Sequence, residues 1–193
     1  MMVNTIKREE ILKAAQRLFA HFGLKKITTD DIAREARVSK ATIYKLYKNK
    51  AEIFDEVVRV ESEQLLSLIQ AAVDAETTCV GKFRAHLLTK MSKVRELINF
   101  YHVTQEGNNE FWPHIAEARR SFMTAEKALV TGILEQGNKS GELDVTNMEL
   151  VAHMIVVSLR SQEYEWAIEG LQTPLDRYVD FMLEVMLNGI RKR

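Results

Sequence analysis

Cys79 is the sole cysteine among 193 residues, which excludes an internal disulfide and a multi-cysteine zinc site. Proline occurs twice, and no low-complexity or Gly/Ser-rich tract breaks the chain. The longest apolar run, Met154 to Val157, falls far below the ~18 residues that a membrane span needs. The opening M-M-V-N-T-I-K-R-E-E lacks the apolar core of a signal peptide, so a cytoplasmic protein with no membrane partner is expected. Its five histidines show no paired metal spacing, and neither G-x-S-x-G nor a phosphate-cradling glycine loop is present. An enzyme, a metal and a cofactor are therefore not expected. The lone thiol in E-T-T-C-V-G has no close cationic neighbour in sequence and reads as passive rather than as a redox sensor.

Net charge is also absent, but its distribution is uneven. Residues 1–50 hold twelve Lys/Arg against five Asp/Glu, and the remainder fifteen against twenty-two. The first fifty residues thus suit a polyanion and the rest do not. What is abundant is helical period. Ile11, Ala15, Leu18 and Phe22 recur as one helix face, with Gly23 placed as a C-cap. Thr28-Thr29-Asp30-Asp31 has capping-box spacing, Ser39 is a natural N-cap, and Asn49-Lys50-Ala51-Glu52 opens a helix to about Val73. Further on, Phe83 to Tyr101 and Ile115 to Leu129 keep the same period, with Pro113 at a helix start. Gly137 to Gly141 reads as a loop, Thr146-x-x-Glu149 as a capping box, and Thr173-Pro174 as a helix start. The reading is all-α, with about nine helices.

Two short helices joined by a tight turn at Val38, after an amphipathic helix, make a helix-turn-helix at about residues 28–47. Such a unit sets the start of its second helix into the major groove of DNA. Lys40, Ala41 and Thr42 would lie there, suited to guanine edges and thymine methyls. Tyr44, Lys48 and Lys50 offer hydroxyl and ammonium donors for phosphates, which position rather than specify. Ile43 and Leu46 face inward by spacing, and Tyr47 either packs or touches backbone phosphate.

The stretch I-T-T-D-D-I-A-R-E-A-R-V-S-K-A-T-I-Y-K-L-Y-K-N-K-A-E-I-F resembles the DNA-binding domain of TetR-type transcriptional regulators. The matching positions are Thr28, Ile32-Ala33, Val38-Ser39, Thr42, Tyr44, Tyr47, Lys50 and Glu52, and I-L-K-A-A-Q-R-L-F-A-H-F-G looks like the family's first helix. One departure is Arg37, which stands where the family usually has glycine and is strained if φ is positive. The resemblance implies a reader domain at 5–60 and an effector-binding, dimerising domain at 61–193. It also implies a homodimeric repressor that binds a palindromic double-stranded operator and leaves it when a small molecule binds. The DNA-contact set so implied is Thr28, Thr29, Arg37, Ser39, Lys40, Ala41, Thr42, Tyr44, Lys45, Lys48 and Lys50.

Sites beyond residue 60 carry weaker signals. Candidates for an effector pocket are Met91, Tyr101, Trp112, Phe122, Met154 and Tyr164, bulky groups on or beside helices that equally serve as ordinary core. The last helix has apolar residues on two sides, one stripe being Leu175, Tyr178, Met182, Val185 and Gly189. A helix apolar on two sides needs two burial partners, which favours a two-fold dimer over a central core helix. Two other classes fit the charge pattern: an enzyme with a basic groove, and a helical adaptor that binds protein through its acidic half.

Overall fold

The computed structural model describes residues 2–94, 112–168 and 173–188. Eight helices occur among them and no strand, against about nine helices expected: α1 Met2–Phe22, α2 Thr29–Glu35, α3 Lys40–Leu46, α4 Lys50–Asp74, α5 Cys79–Val94, α6 Trp112–Ser140, α7 Met148–Ile168 and α8 Leu175–Asn188. No helix among the described residues is long and apolar enough to cross a membrane. The chain divides into two compact units, Met1–Ser62 with Ile98–Arg119, and Glu63–Leu97 with Arg120–Arg193.

In the first unit α1 packs on α2 and α2 on α3. The buried face of α1 is Ile11, Ala14, Ala15 and Phe19, whereas Phe22 is exposed. This corrects the expected stripe at its last member. Phe19 meets Phe54 of α4 edge to face, with ring centres 5.4 Å apart, so the core ends one turn before Phe22. Burying such a ring is worth about 2 kcal/mol. Gly23 follows with φ 80, a left-handed C-cap whose N–H donates to the Phe19 carbonyl.

In the second unit α5 packs against both α7 and α8. Its first turn is capped from outside: the Cys79 N–H donates to Glu142 Oε2 at 3.0 Å, and the Gly81 N–H to Thr78 Oγ1 at 3.0 Å. Gly137 belongs to α6 rather than to a loop. A Cβ there would fall 2.5 Å from Leu143 Cδ1 and 2.7 Å from Cys79 Sγ, so the glycine provides close packing inside a helix. The chain turns at Gly141 instead, at φ 77. Asn138 then clamps the returning loop, donating to the Val145 carbonyl at 2.8 Å and accepting from the Val145 N–H at 3.0 Å. Asn147, not Thr146, caps α7 by accepting the Leu150 N–H at 3.1 Å. Thr173-Pro174 does directly precede α8.

Candidate nucleic-acid interface

The reader helices are fixed first by hydrogen bonds within single turns. Thr28 Oγ1 accepts the Asp31 N–H at 3.2 Å, and Asp31 Oδ2 accepts the Thr28 N–H at 3.0 Å, a closed capping box. The Thr28 hydroxyl also donates to Asp31 Oδ2 at 2.6 Å, and these bonds hold the Asp31 carboxyl below its ordinary range. The end of α2 is a Schellman turn. Val38 N–H donates to the Ala33 carbonyl and Arg37 N–H to the Arg34 carbonyl, which demands a left-handed residue at Arg37. Its φ is 54, the only positive value at a non-glycine among the described residues. Arginine thus adopts the glycine conformation that the motif requires.

Ser39 opens α3 by accepting the Thr42 N–H at 3.1 Å, and the Ser39 and Thr42 hydroxyls lie 2.8 Å apart. Ile43 and Tyr47 are buried, Leu46 partly so. The opposite side is solvent-facing: Lys40, Ala41, Lys45 and Lys48 are exposed, as is Tyr44 at 51%. Thr29 of α2 joins this surface through a 3.3 Å contact of its hydroxyl with the Tyr44 phenol. Thr28, Arg37 and Ser39 are exposed beside it.

Tyr47 resolves to packing. Its hydroxyl donates to Glu56 Oε2 at 2.7 Å, while Arg8 reaches Glu56 Oε1 at 2.6 Å and Arg59 the same oxygen at 3.3 Å. Burial, then the Glu56 carboxylate, pushes the phenol well up, so it stays protonated and donates. Burial alone would raise the Glu56 pKa, but the Arg8 and Tyr47 hydrogen bonds outweigh it and hold the carboxyl below its ordinary range. A buried carboxylate thus ties α1, the end of α3 and α4 together.

Two cations in the expected contact set are already engaged. Lys50 Nζ donates to the Leu24 carbonyl at 2.7 Å and the Ile27 carbonyl at 2.8 Å, satisfying the loop between α1 and α2. Its geometry is that of a residue that holds this loop in place. Lys40 Nζ sits 2.7 and 2.9 Å from the two oxygens of Asp30, and that bond raises its pKa. Asp30 is a member of the surface that sequence spacing did not single out, since ten residues separate it from Lys40. Lys48 pairs loosely with Glu52 at 3.9 Å, whose other oxygen accepts the Lys48 N–H at 2.7 Å. Among the described residues, Arg37 and Lys45 carry no ion pair, which leaves their charges available to phosphate.

The expected effector residues do not gather into one described site. Met91 and Phe122 are buried in the second unit. Tyr101 lies outside the described residues, as do the side chains of Trp112 and Tyr164. Met154 is 59% exposed, so it does not line the interior of its unit; it shares an outward face of α7 with Leu150 and Val157. On α8, Val179, Met182, Leu183 and Leu187 are buried, Leu175 and Tyr178 half-buried, and Val185 is 61% exposed beside Phe181 at 67%. Gly189 lies outside the described residues. Burial pushes the Cys79 thiol up to about 11, with the Glu142 charge adding to it, so it is no thiolate at neutral pH.

Residues 11–57, which hold this surface, match the profile of "Bacterial regulatory proteins, tetR family". Over its whole length the chain is similar to two Bacillus subtilis proteins. One is the uncharacterised HTH-type transcriptional regulator YhgD, 27% identical, with 89% of this chain and 88% of the relative covered. The other is the fatty acid metabolism regulator protein, 23% identical with 97% of both chains covered. Among solved structures, a TetR-family regulator from Mesorhizobium loti superposes with a TM-score of 0.82 at 20% identity over 98% of both chains. FadR from Bacillus subtilis in complex with stearoyl-CoA superposes with a TM-score of 0.74 at 23% identity, over 95% of this chain and 99% of that one. At these identities the structures speak for the fold alone. The capped helix-turn-helix and the family profile agree: residues 11–57 form the DNA-binding domain of the TetR family of bacterial regulatory proteins.

Proposed function

We propose that this regulator is a homodimeric, cytoplasmic repressor that holds a palindromic operator through α3 and leaves it when a small molecule binds the second unit. The observation that carries the DNA reading is the polarity split of α3, with Ile43 and Tyr47 buried beneath exposed Lys40, Ala41, Tyr44 and Lys45. In this reading Lys40, Ala41 and Thr42 meet base edges. Thr28, Thr29, Arg37, Ser39, Tyr44, Lys45 and Lys48 meet phosphates, and Lys50 keeps the loop behind them in place. One head reads only a few base pairs, so two copies about 34–36 Å apart are needed for a palindrome. The exposed apolar faces of α7 (Leu150, Met154, Val157) and α8 (Phe181, Val185) support a second copy packing there.

Similarity to a fatty acid metabolism regulator, and in fold to FadR in complex with stearoyl-CoA, makes a long-chain acyl-CoA the first effector to test. Helix α4, 25 residues without a break, supports transmission of the effector's influence, since it runs from the reader into the second unit. The test is anisotropy of a labelled palindromic duplex selected from a random pool. Affinity should fall by orders of magnitude between low and moderate salt, at a log–log slope of about −0.9 per phosphate neutralised. Stearoyl-CoA should then release the duplex. Salt-indifferent binding would refute the reader assignment, and an enzyme or adaptor would show no duplex binding at all.

A further inference from the structure

Three ionisable side chains stand in the apolar core of the second unit, unused by the DNA-reading surface. His86 and Lys90, one turn apart on α5, converge on one oxygen of Glu126 in α6. His86 Nε2 lies 2.8 Å and Lys90 Nζ 2.5 Å from Oε1. Each of the three residues is at most 2% exposed. The helix positions a turn away, Phe83, Leu87, Phe122 and Val130, are buried apolar residues, and Lys90 Nζ lies 5.4 Å from the Phe122 ring centre. Burial would raise the Glu126 pKa, but the Lys90 charge and then the His86 hydrogen bond outweigh it, so the carboxyl is ionised.

An ionised Oε1 makes His86 Nε2 the donor, and in the tautomer with its proton on Nε2 the Nδ1 atom is an acceptor. Neither His86 Nδ1 nor Glu126 Oε2 has a hydrogen-bond partner. Unsatisfied buried polar atoms are destabilising, and apolar residues of similar volume often stabilise a core as well as a buried ion pair does. Core stability therefore does not account for the cluster.

We propose that the His86–Lys90–Glu126 cluster is the polar recognition point of the effector site, accepting a neutral hydrogen-bond donor, a hydroxyl or amide N–H, on an otherwise apolar molecule. This rests on the ligand-responsive reading above. Two acceptors, His86 Nδ1 and Glu126 Oε2, define the class. A hydroxyl or amide N–H donates to them, whereas an ionised carboxylate has no hydrogen to donate. The acyl and pantetheine end of an acyl-CoA carries such amide donors, whereas its phosphates lie outside the class, as does an ionised free fatty acid. Because the three side chains are buried, a ligand reaches them by moving the packing around Glu126 apart. The bound state then makes hydrogen bonds that the closed state lacks, which is the differential contact a ligand needs to shift an equilibrium.

The test titrates the full-length protein with decanol, decanamide and decanoate, probes of one chain length, by calorimetry and thermal shift. The wild type should bind the alcohol and amide at least roughly ten-fold more tightly than the acid. The triple variant H86L/K90M/E126L should keep or raise its Tm and lose that preference. Should it fail to fold, Glu126→Gln carries the test, because removing the charge should admit decanoate. No binding of any probe, equal binding of all three by the wild type, or an unchanged preference in the variants overturns the proposal. Failure of the ligand-responsive reading looks different: the probes bind with the expected preference, yet operator affinity does not change.

Discussion

Arg37 shows how one residue divides between fold and function. A left-handed φ costs a non-glycine residue roughly 1–2 kcal/mol, and the Schellman bonds from Arg37 and Val38 hold it there. Arg37→Gly should therefore raise stability by about 0.5–1 kcal/mol, since glycine's looser unfolded chain cancels part of the relief. The same change should flatten the salt slope of operator binding by about one unit if the guanidinium meets a phosphate. Urea melts and a salt titration check the two halves separately; a destabilised glycine variant would refute the strain argument. Asp30 acts in the opposite sense. Its carboxylate holds Lys40 and adds negative charge to the surface proposed to face DNA. Asp30→Asn should tighten binding to non-operator DNA by about ten-fold at low salt while narrowing the preference for operator. Unchanged affinity for random duplex would show that the pair opens without consequence.

Among elements, the joint between α1, α3 and α4 depends on charge. Glu56 accepts from Tyr47 and Arg8 together, and its folded pKa lies below the ordinary 4.5. A carboxyl depressed on folding contributes stability that is present above its unfolded pKa and lost as pH falls through the folded value. Glu56→Gln should accordingly be less stable than wild type at neutral pH. That difference should shrink as pH falls below 4.5 and vanish once the folded carboxyl is itself protonated. Denaturant melts across this range decide it; a constant gap would mean that shape, not charge, holds the joint.

For the whole molecule, the exposed apolar pair on α8 is where the proposed dimer is tested. Phe181→Glu removes no core contact, because Phe181 is 67% exposed. It should nonetheless yield a monomer in sedimentation and weaken operator binding by orders of magnitude, since half-sites are then read singly. A dimeric F181E protein with normal operator affinity would move the interface elsewhere. An acyl-CoA that releases the operator must bind the DNA-free protein more tightly by the same factor. Titrating effector with and without duplex measures that factor directly.

Much of the reader was legible before any coordinates, because its signals are local. The caps at Thr28, Ser39 and Asn49 close over three residues, so spacing alone decides them. The Arg37 turn was flagged by position within the same short motif. What spacing could not decide was which of two rival residues finds a distant partner. Phe19 rather than Phe22 is buried because Phe54, thirty-five residues on, stands opposite it. Gly137 sits inside a helix, where Leu143 and Cys79 leave no room for a Cβ. Lys40 and Lys50 look alike in sequence, yet one meets Asp30 and the other two loop carbonyls. Met154 keeps helical period but faces outward, and His86, Lys90 and Glu126 carry no sequence sign of convergence. Hydrogen bonds within one turn are fixed by covalent spacing, whereas burial and ion pairing are fixed by what tertiary packing sets opposite, and only the folded chain supplies that.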